Sequence, residues 1–163
     1  MFQMNEEDLE RAFRRWRDES QKTRYITPSK KQADKAFSRR IESQVRSRLQ
    51  ERGYVVSRTG HNDSFDLWCN GARIEIKAAA LSKQGYRANM RANDADVLIL
   101  GCQNGQLHFF VIPFDLVRGK CYVKITSSDP AEYMGRFMPY YEAWGVVDEA
   151  VDRAPERYQL PLL

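Results

Sequence analysis

The sequence predicts an α/β fold in which helices pack on a mixed central β-sheet. Three observations carry this prediction. Residues 31–52 have the apolar periodicity of a helix, two Asn-Gly pairs each separate two β-prone runs, and residues 96–101 form a continuous apolar run typical of a buried strand. Because helices and strands follow one another along the chain, we expect a sandwich with a mixed sheet, preceded by an N-terminal helix.

Composition limits the class of protein. The 163 residues suit one domain, and no apolar run approaches the roughly 18–20 residues that span a bilayer. The N-terminus is acidic, unlike a signal peptide, so we expect a cytoplasmic protein without a membrane partner. The three cysteines lie far apart in sequence, which does not support a zinc site and favours buried thiols.

Positive charge is concentrated in one half of the chain. Residues 1–90 carry 19 Lys and Arg against 12 Asp and Glu, whereas residues 91–163 carry 7 against 10. Between Arg11 and Arg48 there are 13 basic and 4 acidic residues. Such clustering predicts a polyanionic partner, with a solvated helix surface as the alternative.

The first 30 residues are expected to form a basic helix and a connector. Asn5 can cap a helix that runs to about Ser20, with acids in its first turn. Leu9, Phe13 and Trp16 share one stripe, which favours packing on the main domain over a separate binding arm.

A second helix is predicted from Lys31 to Arg52, ending at Gly53. One stripe of this helix should be buried; it consists of Ala33, Phe37, Ile41, Val45 and Leu49. Glu42 lies at the edge of the stripe, where an acid usually forms a surface ion pair. A short strand, residues 54–57, should follow.

The strongest local signal is the pair Asn70-Gly71. A two-residue type I′ turn there fixes the register of a hairpin, pairing Cys69 with Ala72 and Leu67 with Ile74. Continuing the register pairs Asp66 with Glu75, Phe65 with Ile76 and Ser64 with Lys77. One face is then apolar and core-facing, and it carries Phe65, Leu67, Cys69, Ala72, Ile74 and Ile76.

The opposite face places Asp66, Glu75 and Lys77 together. Directly opposed carboxylates repel one another unless a cation neutralises them. Mg²⁺ prefers such oxygen ligands, and two acids with a lysine around this ion suit phosphodiester cleavage. Asp63 is the rival for the first acid, but it lies outside the hairpin register and beside turn residues.

This pattern resembles the PD-(D/E)XK nuclease superfamily over residues 37–113. The family motif is an acid on one strand followed by acid-x-Lys on the next, which here is Asp66 and Glu75-Ile76-Lys77. Phe65 stands where the family often has proline. The resemblance implies a restriction-endonuclease-like α/β/α sandwich and Mg²⁺ bound by Asp66, Glu75 and the Ile76 carbonyl, with Mn²⁺ as a substitute. It also implies a catalytic role for Glu42, which matches the acid that the family often adds on the preceding helix.

Basic residues near the motif are the candidate DNA contacts. Arg39 and Arg40 lie in the basic helix, and the segment after the motif adds four candidates, namely Lys83, Tyr86, Arg87 and Arg91. An ordinary polar loop is the alternative interpretation of this segment.

The remaining elements complete the predicted nuclease-like core, residues 31–145. Strands are expected at residues 96–101, 107–112 and 121–126, with a hairpin turn at Asn104-Gly105. A helix is expected from Pro130 to Trp144, capped by residues 127–129 and covering the sheet with its aromatic side chains. Residues 146–163 are expected to form a C-terminal tail with a short helix.

The sequence therefore predicts a Mg²⁺-dependent DNA endonuclease, with catalytic residues Asp66, Glu75, Lys77 and Glu42. Two alternatives stay open: a DNA-binding module that keeps the fold without cutting, and a regulatory protein that docks on an acidic partner. Because one site per chain must cut two strands, a homodimer is the expected assembly.

Overall fold

The computed structural model describes residues 7, 10–12, 14, 30–60, 63–90 and 94–157. The chain forms two compact units, Met1–Ala36 and Phe37–Leu163. In the first unit the described positions before residue 30 are helical. The predicted stripe of Leu9, Phe13 and Trp16 lies outside the described residues.

Helix α1 spans Lys30–Glu51, as predicted. Ile41, Val45 and Leu49 are fully buried, Phe37 is partly buried, and Ala33, in the first unit, is exposed instead of buried. The helix ends where Gly53 adopts a positive φ of 89°. The Tyr54 N–H then bonds the Leu49 carbonyl and the Gly53 N–H bonds the Gln50 carbonyl, which satisfies the last turn.

Eight strands follow within the described part of the chain. They are β1 (Val56–Arg58), β2 (Leu67–Cys69), β3 (Ala72–Ala78), β4 (Ala80–Ser82), β5 (Gly85–Asn89), β6 (Val97–Asn104), β7 (Gln106–Pro113) and β8 (Tyr122–Ile125). Five of them form the central sheet in the order β1-β2-β3-β6-β7. Only the β3–β6 pair in this sheet is parallel. The predicted α/β fold with a mixed central sheet is confirmed.

Strands β4, β5 and β8 form a second, three-stranded sheet. The alternative interpretation of this segment as an ordinary polar loop is therefore wrong. Gly85 permits the hairpin, because a Cβ there would lie 2.1 Å from the Ile125 carbonyl oxygen and φ is 103°. The alternation of buried Tyr86 and Ala88 with exposed Arg87 and Asn89 is the strand signal that the sequence already contained.

The two faces of the central sheet carry different layers. One face packs against α1 and a second helix, α2 (Gly145–Arg157). The other packs against the small sheet and an aromatic segment that includes Tyr133 and Phe137. The first residues of the expected C-terminal tail are therefore a helix that covers the sheet. Among the described residues, no helix is long and apolar enough to cross a bilayer.

The helix predicted from Pro130 to Trp144 does not form. The segment has two short 3-10 helical turns instead, Pro130–Glu132 and Met138–Tyr140. Pro139 cannot donate a helical hydrogen bond, and Gly135 lowers the helix propensity of the segment. Asp129 caps the first turn by accepting the Ala131 N–H at 3.0 Å. The aromatic side chains still cover the sheet, but they divide between its two faces.

Candidate active site

The turn at Asn70-Gly71 positions the site. Both residues have positive φ, 44° and 88°, as a type I′ turn requires. Cys69 pairs with Ala72 and Leu67 pairs with Ile74, so the predicted register is confirmed over β2.

Beyond Leu67 the structure departs from the predicted hairpin. The chain bends over residues 64–66, and the Asp66 N–H bonds the Ile74 carbonyl at 2.9 Å. Asp66 and Leu67 therefore both face Ile74, as in a β-bulge. The predicted continuation of the ladder, pairing residues 64–66 with residues 75–77, does not form.

The bend also moves Phe65 to the other face of the sheet. Leu67 packs in the cluster beneath the helices, whereas Phe65 packs in the cluster beneath the small sheet. Its ring lies 4.7 Å from that of Trp68 in an edge-to-face contact. The prediction that Phe65 and Leu67 share one core face is wrong, because it assumed an uninterrupted strand.

Asp66 nevertheless lies beside Glu75. Its Oδ2 accepts the Ile76 N–H at 2.8 Å, and its carboxyl group interacts with that of Glu75. Because the N–H and C=O of one strand residue point to the same side, the Ile76 carbonyl faces the same edge of β3 as Asp66. The Asp66 and Glu75 carboxylates are thus neighbours, and the Ile76 carbonyl lies on the strand edge that Asp66 contacts.

Glu75 is the buried member of the site, with 3% of its surface exposed. Burial and the neighbouring Asp66 carboxylate raise the pKa of Glu75 to about 7, against the lowering effect of Lys77. The Lys77 ammonium lies 2.9 Å from Glu75 Oε1 on the same face of β3. One lysine therefore faces two carboxylates, which leaves an excess of negative charge where a cation would be stabilised.

The donor set fits a hard divalent cation. Two carboxylates and one carbonyl leave several coordination positions for water or phosphate, which suits Mg²⁺. Within the described ranges, no three His, Cys, Asp or Glu side chains form a metal-binding group. The predicted ligand set has only two such side chains, Asp66 and Glu75, and the Ile76 carbonyl would be its third donor.

A cleft of about 490 Å³ opens beside Asp66. Glu42, which the sequence also predicts as catalytic, lines this cleft together with Asp66, but its Oε1 pairs with Arg58 Nε at 2.9 Å. Asp63, the rival acid, also lines the cleft and accepts the Gly60 N–H at 2.8 Å. Sequence analysis missed Arg58, which has no motif around it.

The predicted DNA contacts have different surroundings. Arg39 lines the cleft, whereas the neighbouring Arg40 hydrogen-bonds Gln103. Lys83 and Arg87 are exposed on the small sheet. The prediction that Tyr86 contacts DNA is wrong, because its ring is buried and its hydroxyl donates to the Gln103 carbonyl at 2.7 Å. Arg91 lies outside the described residues.

The architecture is that of a known nuclease structure. A bacterial homing endonuclease superposes with a TM-score of 0.63 and 19% sequence identity, covering 75% of this chain and 96% of that protein. That neighbour is I-Ssp6803I. The likeness shows a shared fold. No protein-family model and no curated sequence matches the chain.

Proposed function

We propose that this chain is a Mg²⁺-dependent DNA endonuclease of the PD-(D/E)XK type. The observation that carries the proposal is the contact between Asp66, Glu75 and Lys77 at the end of the β2–β3 hairpin. A buried carboxylate held beside a second one lowers stability, so a binding or catalytic role is the reason to retain it. The fold shared with a homing endonuclease supports the same function.

The residues of the site would have separate roles in metal binding and catalysis. Asp66, Glu75 and the Ile76 carbonyl bind the cation, and Mn²⁺ can replace Mg²⁺. When held there, the cation would supply Lewis-acid chemistry to the phosphate and to the attacking water. Lys77 orients that water and stabilises the negative charge that develops on the phosphate oxygens.

The cleft walls would hold the DNA. Arg39 lies on the same cleft as Asp66 and suits a phosphate contact. Glu42 contributes by fixing Arg58 toward this cleft, because the two side chains form an ion pair. A homodimer would place two such clefts on one duplex and allow both strands to be cut.

A nicking assay tests the proposal. Supercoiled plasmid should be nicked with Mg²⁺ or Mn²⁺, and it should stay intact with EDTA or Ca²⁺. Asp66→Asn and Glu75→Gln should both stop nicking. DNA binding without nicking in any metal would favour the non-cutting module, and the absence of both would favour an acidic protein partner.

A further inference from the structure

The small sheet has one buried and one exposed face. Tyr86, Ala88, Val123 and Ile125 point into the core. The alternation of strand side chains turns the other face toward solvent, with Arg87 on β5 and Tyr122 on β8 exposed and Lys124 on β8 half-buried. We call these last three residues the cationic face.

Two positive charges lie directly opposite each other on this face. Arg87 and Lys124 are paired across β5 and β8. Like charges in that position destabilise a sheet. Among the described residues no acid forms an ion pair with either of them, so the repulsion is not compensated within that part of the chain.

The Tyr122 ring contacts both cations. The Arg87 guanidinium carbon lies 4.4 Å from the ring centroid, and Lys124 Nζ lies 5.5 Å from it. The Gln84 side chain accepts a further hydrogen bond from Lys124 at 3.3 Å. Tyr122 itself remains 45% exposed. The cations are thus held in place and accessible, an arrangement that favours an anionic ligand.

The cationic face begins close to the candidate active site. Ala80, which pairs with Arg87, follows Lys77 by three residues. Three residues span at most about 11 Å and a strand pair adds about 5.5 Å, so the Arg87 and Lys77 backbones lie within about 17 Å. Nucleotides repeat every 3.4 Å or so along one strand of a duplex, so this distance corresponds to roughly five nucleotides.

We propose that the cationic face binds the phosphate backbone of the DNA within roughly five nucleotides of the cut. Phosphate oxygens between Arg87 and Lys124 would compensate the like-charge pair, and Tyr122 would keep the guanidinium in position. The inference rests on the proposed endonuclease function and adds Tyr122 and Lys124 to the DNA-binding residues.

The experiment measures affinity for a DNA duplex against salt, with the full chain in EDTA. Arg87→Gln/Lys124→Gln should flatten the slope of log affinity against log salt by about 2 and weaken binding by roughly tenfold or more at low salt. Arg136→Gln/Arg153→Gln, which removes two exposed cations elsewhere, should leave the slope unchanged. Tyr122→Leu should weaken binding, and Tyr122→Phe, which keeps the ring, should not.

The melting temperature distinguishes a role of these cations in DNA binding from a role in stabilising the fold. Without DNA, Arg87→Gln/Lys124→Gln should melt at the same temperature as the wild type or higher, because a repulsion is removed. A lower melting temperature with an unchanged salt slope would overturn the inference.

Cleavage in Mg²⁺ separates this inference from the proposed function. If the wild type cuts DNA and Arg87→Gln/Lys124→Gln keeps the wild-type slope of log affinity against log salt, the cationic face does not bind DNA. If the wild type binds without cutting and the slope flattens, the face binds DNA and the endonuclease proposal is wrong. If the wild type does not bind DNA, both proposals are wrong.

Discussion

Lys77 Nζ lies 2.9 Å from Glu75 Oε1, two residues away on the same face of β3. The ammonium therefore neutralises part of a buried carboxylate. A cation bound by Glu75 would take over this neutralisation and leave the ammonium able to stabilise negative charge on a substrate. The geometry thus couples the proposed metal ligand to the proposed catalytic lysine.

Lys77→Ala should lower the cleavage rate at saturating DNA by about 100-fold or more, because Lys77 acts mainly in the transition state. DNA affinity should change little, since the other basic residues proposed to contact phosphates are unchanged. Single-turnover cleavage and a binding isotherm measure the two effects. Equal losses of binding and cleavage would assign Lys77 to electrostatic docking instead.

Asp66→Asn should abolish stabilisation by metal. At a metal concentration about 100 times its Kd, the wild type should gain about 2.7 kcal/mol of unfolding free energy. Melting curves with and without Mn²⁺, together with a calorimetric titration, measure this gain. Unchanged Mn²⁺ affinity in Asp66→Asn would contradict the assignment.

Glu42→Gln is the matched control for that measurement. Glu42 lines the same cleft as Asp66 but pairs with Arg58. Its replacement should therefore leave Mn²⁺ affinity within about threefold of the wild type. Such a change is smaller than a tenfold change, which corresponds to about 1.4 kcal/mol of binding free energy. A loss as large as that of Asp66→Asn would instead make Glu42 a metal ligand.

The stability of the metal-free protein should depend on pH through Glu75. Its pKa is about 7 in the folded chain against 4.5 as the ordinary value, so the folded state binds the extra proton. The resulting stabilisation is fully present below about 4.5 and is lost as pH rises through about 7. Its size is up to about 3 kcal/mol, from 1.36 kcal/mol per pKa unit.

Chemical denaturation in EDTA at a series of pH values measures this effect. Glu75→Gln should be more stable than the wild type at pH values above 7 and should lose the difference in acid. A wild type and variant that differ equally at every pH would show that Glu75 does not titrate in this range.

The basic helix should contribute to DNA affinity through Arg39 and Arg40. Replacing both with Gln should reduce the salt slope by up to about 2, because each phosphate contact contributes about 0.9. Arg136→Gln/Arg153→Gln again serves as the control. Equal slopes for the two double variants would mean that this part of α1 is a solvated surface.

The sequence predicted the local features well because their causes are local. Asn70-Gly71 determines a turn by itself, and the spacing of Ile41, Val45 and Leu49 determines the buried side of α1. The bend before Asp66 could not be predicted in the same way, because it depends on hydrogen bonds to Thr59 and Ile74, which lie outside the turn and carry no motif. The small sheet depends on pairing between β5 and β8, which are more than thirty residues apart in sequence.

The sequence predicts that Asp66, Glu75 and Lys77 lie together, and the structure brings them together in a different geometry. Regular pairing places Asp66 opposite Glu75, whereas in the structure a bulge and the Ile76 N–H bring the two together. Tyr86 was misassigned because its burial depends on the core beneath the small sheet.

The bend that carries Asp66 is made without proline. Thr59 Oγ1 donates to the Phe65 carbonyl at 2.6 Å, and the Thr59 N–H donates to the Asp66 carbonyl at 3.2 Å. These hydrogen bonds hold the backbone at positions 65 and 66, and a proline at position 65 would restrict the same backbone by fixing φ. Because Thr59 holds this backbone, position 65 can carry an aromatic side chain that packs in the core.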